Sequence, residues 1–365
     1  MIKFLPNGRV RLMTRQVLMI ALVWAIVGVL DALYIQAVVV SEIGAGSLPF
    51  GINRLLLVKG VAGLTVGLLS GSLLIFFLRE RVRHKSFGFA ILVNSMIVSL
   101  INFGIIVLLY SAFLPLNTTS LPFFLKTLTL WFLVVFLTIV ALHVNEKYGP
   151  GVLLKLLLGR YHKPREEERI FMFVDIRSSS MIAERLGHIR FFNLLNDFFR
   201  DVTGPVVYSQ GEVYQYVGDE IVVSWTLENG LRDYNCLKCF YGMQEAIQQR
   251  KAKYQHKYGL VPEFKAGLHG GCVTTGEIGV IKKDIVFSGD VLNTTARIQN
   301  KCNQYGVNIL LSRYLIHKLQ LPPSDFFVDR VGMIELKGKK QKLELFTLDL
   351  LPIPQISADM PHQEM

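Results

Sequence analysis

The sequence predicts two unlike parts: a bundle of four membrane-spanning helices, then a soluble domain of mixed α and β structure. Three observations carry this. Hydrophobic residues make up 51% of the 365-residue chain and the mean hydropathy is +0.39, more apolar than an ordinary soluble protein. The apolar excess lies almost wholly before residue 147. Beyond it, β-rich runs alternate with helical periodicities, the pattern of an α/β or α+β domain.

Four apolar runs, approximately 17–40, 55–78, 89–114 and 121–144, reach the ~20 residues that a hydrocarbon core of about 30 Å requires. The first begins after "NGRVRLMTRQ" and no small-residue cleavage site follows it, so a cleaved signal peptide fits poorly. Lys and Arg cluster before the first run (Lys3, Arg9, Arg11, Arg15), between the second and third (Arg79, Arg81, Arg83, Lys85) and after the fourth (Lys147). The other two connections carry none before Arg54, which predicts cytoplasmic termini and a multi-pass protein of the inner (plasma) membrane. Polar residues within the runs are Asp31, Lys59, Asn94, Asn102 and Lys126. Asp31 and Lys59 fall at similar depth near the outer leaflet, which permits a pair. The simpler expectation has Lys59 and Lys126 snorkelling to the outer headgroups.

The net charge of +11 does not imply nucleic acid. Residues 1–147 hold 12 Lys/Arg and 4 Asp/Glu, so +8 of it belongs to the apolar half, and the rest has no basic stripe or nucleic-acid-binding signature. Cys236 and Cys239 form a C-x-x-C, but they sit in the amphipathic pattern "LRDYNCLKCFYGMQEAIQQ", where cysteine acts as a small core residue. A metal or redox pair would need partners that the sequence does not offer.

Pro150 and Gly151 end the fourth run, and "VLLKLLLGRY" reads as a short amphipathic linker helix, either a tether or a lever. Arg165 to Arg169 read as a solvated charge cluster. Then "RIFMFVDI" reads as a buried strand ending at Asp175, and "SSSMIAERLGHIRFFNLLNDFFRDVTGPV" as helix. "GEVYQYVGDEIVVSW" reads as a hairpin turning at Gly218 and Asp219. "FKAGLHGGCVTTGEIG" reads as a strand and then a loop, and "KKDIVFSGDVLNTTARIQNKCNQYG" as a turn and then a helix.

Asp175 and Asp219 on adjacent strand edges suit hard divalent cations, although Gly-Asp also makes a turn for its own sake. Asn293 and Arg297, four apart at a helix start, share one face and suit a ribose and a developing phosphoryl charge. Lys337 and Lys339 sit in a glycine-broken strand edge suited to phosphates.

Residues 167–349 resemble the class III nucleotidyl cyclase catalytic domain, through "FMFVDIRSSS", "YVGDEIVVSW", "GDVLNTTARIQ" and "VGMIELKGKKQKLELFTL" in that order. The resemblance implies a ferredoxin-like βαββαβ core in an α+β fold. With the four spans, it implies a bacterial membrane-anchored adenylate cyclase that converts ATP to 3′,5′-cyclic AMP and pyrophosphate. It further implies two Mg²⁺ or Mn²⁺ ions per site on Asp175, Asp219 and the Ile176 carbonyl. Asn293 would orient the ribose, Arg297 would stabilise the α-phosphate, and Lys337 or Lys339 would contact the terminal phosphates. Sites would form between two copies in a homodimer. The expected division is a membrane domain over 1–147, a linker over 148–166, the catalytic domain over 167–350 and a tail over 351–365.

Two positions depart from the family pattern. Where such adenylate cyclases usually carry a base-reading Lys and guanylate cyclases a Glu, this chain has Gln215, able to donate and to accept. The second base-reading position, often Asp or Thr, falls on Val286. A guanylate cyclase and a catalytically silent dimer partner or nucleotide sensor are therefore the alternatives. A diguanylate cyclase fits less well, because its signature loop is absent and the Asn/Arg helix would be unexplained.

Overall fold

The computed structural model describes residues 8–43, 52–78, 87–113, 121–148, 163–281, 283–335 and 342–350. They fall into two compact units, one within residues 9–154 and one holding the C-terminal part of the chain. The linker helix expected over 152–161, and both Lys337 and Lys339, lie outside the described residues.

The first unit holds α1 (Gly8–Ile43), α2 (Ile52–Ser72) continued by a π-helical turn (Leu73–Leu78), α3 (Phe87–Phe113) and α4 (Leu121–Tyr148). All four helices are long and apolar enough to cross a membrane, over Met13–Val38, Ile52–Leu78, Ile91–Leu109 and Leu125–Asn145. Small residues bring α1 and α2 into backbone contact: a Cβ at Gly63 would collide with the Trp24 carbonyl, and one at Gly67 with Ala21. Trp24 is fully buried there, packs on Trp131 with ring centroids 5.7 Å apart, and donates from Nε1 to Thr138 Oγ1 at 2.9 Å.

That close approach revises the snorkelling expectation for Lys59. Its side chain is 1% exposed and pairs with Asp31 Oδ2. Lys126, 40% exposed, reaches the other oxygen of the same carboxylate at 3.1 Å. Lys59 faces α1 across a seam without side chains, so its ammonium meets a carboxylate before it can reach water. The Asp31–Lys59 pair is the arrangement found.

The second unit is an α+β domain around one sheet of order β2-β3-β1-β4-β6-β8-β7, with β5 paired to β4. Its first half comprises β1 (Arg165–Ile176), α5 (Ser179–Leu186), α6 (His188–Tyr208), β2 (Glu212–Val217), β3 (Glu220–Thr226), α7 (Leu227–Leu231), α8 (Asn235–Gln249), α9 (Lys251–Tyr258) and β4 (Phe264–Ile278). β1 runs antiparallel to both β3 and β4, and the order β2-β3-β1-β4 with two crossing helices is the ferredoxin-like βαββαβ core. After it come β5 (Asp284–Ser288), α10 (Asp290–Tyr305), β6 (Ile309–Ser312), α11 (Arg313–Leu319), β7 (Phe326–Glu335) and β8 (Lys342–Leu350).

β1 is buried on both faces. Ile170, Met172 and Val174 pack under α6 and α8, with Phe198, Val202, Phe240 and Met243. Phe171 and Phe173 point the other way, against Val222, Val273 and Val291. Cys236 and Cys239 lie in the first core with their thiols pushed up to about 12 by burial, which suits packing rather than ligation.

Three boundaries differ from the sequence reading. β1 starts at Arg165, so the expected charge cluster is strand: Arg169 is buried, donates to Glu212 at 2.7 Å and Ser224 at 2.9 Å, and lies over the Phe287 ring. β4 runs on to Ile278 where a loop was expected, because β5 forms from the expected turn and pairs with its outer half. Gly187 divides the expected single helix into α5 and α6.

Candidate active site

The site begins as a row across three strands. In the antiparallel registers Asp175 at the end of β1 stands opposite Glu220 of β3 and opposite Lys265 of β4. Residues directly opposite share a face, so the three side chains stand side by side. Asp219 follows at the tip of the β2–β3 hairpin, where Gly218 supplies the left-handed turn (φ +62°). The hairpin was expected from the sequence, and the structure brings both aspartates to one place.

Lys265 is 6% exposed and its Nζ lies 3.2 Å from Asp175 Oδ2. The same oxygen accepts from Gln299 Nε2 of α10 at 2.9 Å. The helix sits this close because β4 has no side chain at Gly267, where a Cβ would collide with the Gln299 backbone. Neither Lys265 nor Gln299 stood out in the sequence; the signal lay in the cross-strand register, which needs the fold.

The electrostatics describe a carboxylate cluster short of positive charge. Burial raises the Asp175 carboxyl above its usual range, and the Asp219 carboxyl against it raises it further; Lys265 and Gln299 oppose this. Glu220 is raised to about 7, first by burial and then by the charges of Asp175 and Asp219. Glu220, next to the turn, is thus half-buried beside Asp175 rather than free in solvent.

A divalent cation fits this donor set. Asp219 Oδ2 is buried and has no hydrogen-bond partner among the described residues. The Ile176 side chain is 1% exposed in the core, which leaves its main-chain carbonyl as the donor it can offer. Among the described residues no group of three His, Cys, Asp or Glu side chains is placed to hold a metal ion by itself. An incomplete set of oxygen donors is what Mg²⁺ takes when substrate phosphates and water complete its shell.

The remaining expected residues are placed around this centre. Asn293 is exposed and Arg297 half-buried on α10, one helical turn apart, on the helix whose Gln299 reaches Asp175. Gln215 is exposed on β2, just after a bulge at Tyr214, and Val286 pairs with Gly276 at the β4–β5 edge. Asn293, Gln215 and Val286 make no contact with the carboxylate cluster that the structure records.

Fold and site together define a nucleotidyl cyclase domain. Residues 161–349 match the family profile described as "Adenylate and Guanylate cyclase catalytic domain", and the chain belongs to that family. "Adenylate cyclase 2" of Rhizobium meliloti (strain 1021) is 38% identical over 210 residues, 58% of this chain and 58% of that protein. "Adenylate cyclase" of Anabaena cylindrica is 27% identical over 181 residues, 48% of this chain and 35% of that one. The chain thus spans little more than half, or less, of these curated relatives. A solved bacterial light-regulated adenylyl cyclase superposes with a TM-score of 0.52 at 23% identity, covering 64% of this chain and 66% of that one, a likeness of fold.

Proposed function

We propose that the chain is a membrane-anchored adenylate cyclase, forming 3′,5′-cyclic AMP and pyrophosphate from ATP at sites shared between two copies. The observation that carries this is the pairing of Asp175 with Asp219, under-compensated and with one carboxylate oxygen left unpartnered. Two Mg²⁺ or Mn²⁺ ions held by Asp175, Asp219 and the Ile176 carbonyl would activate the attacking hydroxyl and stabilise the leaving phosphates.

The chain's own residues take the remaining roles. The ATP 3′-hydroxyl attacks the α-phosphorus, the bond to the bridging oxygen breaks, and pyrophosphate departs. Arg297 places a fixed positive charge where negative charge develops on the α-phosphate. Asn293 holds the ribose so that its hydroxyl lies in line. Lys265, buried and held by Asp175, adds a cation on the phosphate side, with Lys337 or Lys339 on the terminal phosphates. Exposure of Asn293 suits a residue that serves a partner's site. Gln215 reads adenine through its amide, accepting from the exocyclic amine and donating to N1. ATP is preferred over GTP because the 38% relative is named an adenylate cyclase, whereas "Retinal guanylyl cyclase 2" of Homo sapiens matches at 25%. The four apolar helices cross the inner membrane with both termini cytoplasmic.

The test is direct: purified full-length protein is given ATP or GTP with Mn²⁺ or Mg²⁺, and cyclic nucleotides are measured. Cyclic AMP from ATP is expected. Cyclic GMP alone would overturn the substrate, and no product from either would overturn the enzyme.

A further inference from the structure

The helical unit sets two ammonium groups on one carboxylate next to a cleft. Asp31 is shared by two ammonium groups, Lys59 on Oδ2 and Lys126 on Oδ1. Lys59 is sealed inside the bundle. Lys126 is not: its Nζ lies 4.8 Å from the centre of the Tyr34 ring, and both side chains face outward. Beside them, between α1 and α4, is a cleft of about 580 Å³ whose walls include Asp31, Tyr34 and Lys126 at one part and Val27, Leu30 and Leu133 at another.

These features specify an occupant. An ammonium group that shares its carboxylate with a second lysine is only partly neutralised, and the aromatic face adds only in part. Lys126 lies five residues into α4, about 8 Å from the helix start at 1.5 Å per residue, within reach of the interface along its own stem. The apolar walls suit a hydrocarbon chain. We propose that the α1–α4 cleft is a binding site for an anionic amphiphile, its carboxylate or phosphate head on Lys126 and its chain along Val27, Leu30 and Leu133. The inference rests on the reading that these helices lie in a bilayer.

Trp24 and Trp131 of the same unit serve as reporters, with Trp225 of the cyclase unit as constant background. Full-length protein in phosphatidylcholine nanodiscs is titrated with brominated stearate, brominated phosphatidylglycerol or brominated phosphatidylcholine, and tryptophan quenching is followed. At equal mole fraction the anionic probes are expected to half-quench at about fivefold lower concentration than the zwitterionic one, the factor that one lysine contributes at an anionic surface. Lys126→Gln should remove the preference and Lys126→Arg should keep it, with unchanged elution profiles for both. Stearate outdoing phosphatidylglycerol identifies a free fatty acid, and parity a phospholipid. Equal quenching by all three probes, or a preference that survives Lys126→Gln, overturns the site. Absence of quenching by any probe would overturn the bilayer reading itself, and the site with it.

Discussion

In the helical unit one carboxylate, Asp31, is shared by two ammonium groups; in the cyclase unit one ammonium group, Lys265, shares a cluster with Asp175, Asp219 and Glu220. Among the described residues, neither cluster pairs its charges one to one. The difference is in how the remainder is held. Both Asp31 oxygens are engaged, so that cluster is closed around its carboxylate and open only at Lys126. In the cyclase unit Asp219 keeps a bare buried oxygen and Glu220 rises to about 7, so that cluster is open at its carboxylates. A buried imbalance of charge thus marks where a ligand of opposite sign completes the protein, and its sign says which kind.

The sharpest break of this comparison is at Asp219. Asp219→Ala should lower cyclic AMP formation by on the order of 10³-fold or more, as expected for loss of several kcal/mol of metal-dependent stabilisation, with circular dichroism unchanged. Survival of activity would mean that the open carboxylate cluster is not the metal site. The corresponding change in the closed cluster should strike stability instead. Asp31→Ala removes the carboxylate from buried Lys59 and should cost about 3–5 kcal/mol, read as a lowered midpoint in thermal unfolding of the full-length protein in detergent. An unchanged midpoint would show that the pair carries no structural role.

A smaller effect tests whether two copies share each site. Mixing Asp175→Ala with Arg297→Ala chains makes half of the dimers mixed, each with one intact site of two. Recovery of about a quarter of the wild-type rate is expected, and no recovery would place all catalytic groups in one chain. The smallest effect is the pH dependence of stability without divalent ions. Glu220 has a folded-state pKa raised from 4.5 to about 7, so the folded state binds more protons than the unfolded one between those values. The stability contributed by Glu220 is therefore fully present below pH about 4.5 and is lost as the pH rises through about 7. After allowance for partial exposure the loss is on the order of 1–2 kcal/mol, measurable by urea denaturation in EDTA. Glu220→Gln should flatten it; an unchanged slope would assign it elsewhere.

The sequence disclosed those features whose signals are local. Four apolar runs, the β1 ending at Asp175, the Gly218–Asp219 turn and the α10 face bearing Asn293 and Arg297 are each written in consecutive residues. Features that depend on register were hidden. Lys265 becomes part of the site only because β4 pairs with β1 so that it stands opposite Asp175, and Glu220 leaves solvent for the same reason. β5 was read as a turn because "DIVFS" is short and follows two lysines, yet it folds back on the outer half of β4, with Asp284 opposite Ile278 and Ser288 opposite Thr274. Lys59 was assigned to the headgroups on charge alone; the glycine seam that carries it inward has no hydropathy signal.

Gly267 shows what such hidden geometry does to a mutational map. It bears no functional group and touches no proposed ligand, yet any side chain there would displace α10, and with it the amide of Gln299 and the guanidinium of Arg297. In a saturation library scored by cyclic AMP, Gly267 would therefore read as intolerant as the aspartates proposed to hold metal. Only a count of folded protein beside the activity score would tell a spacer from a catalyst.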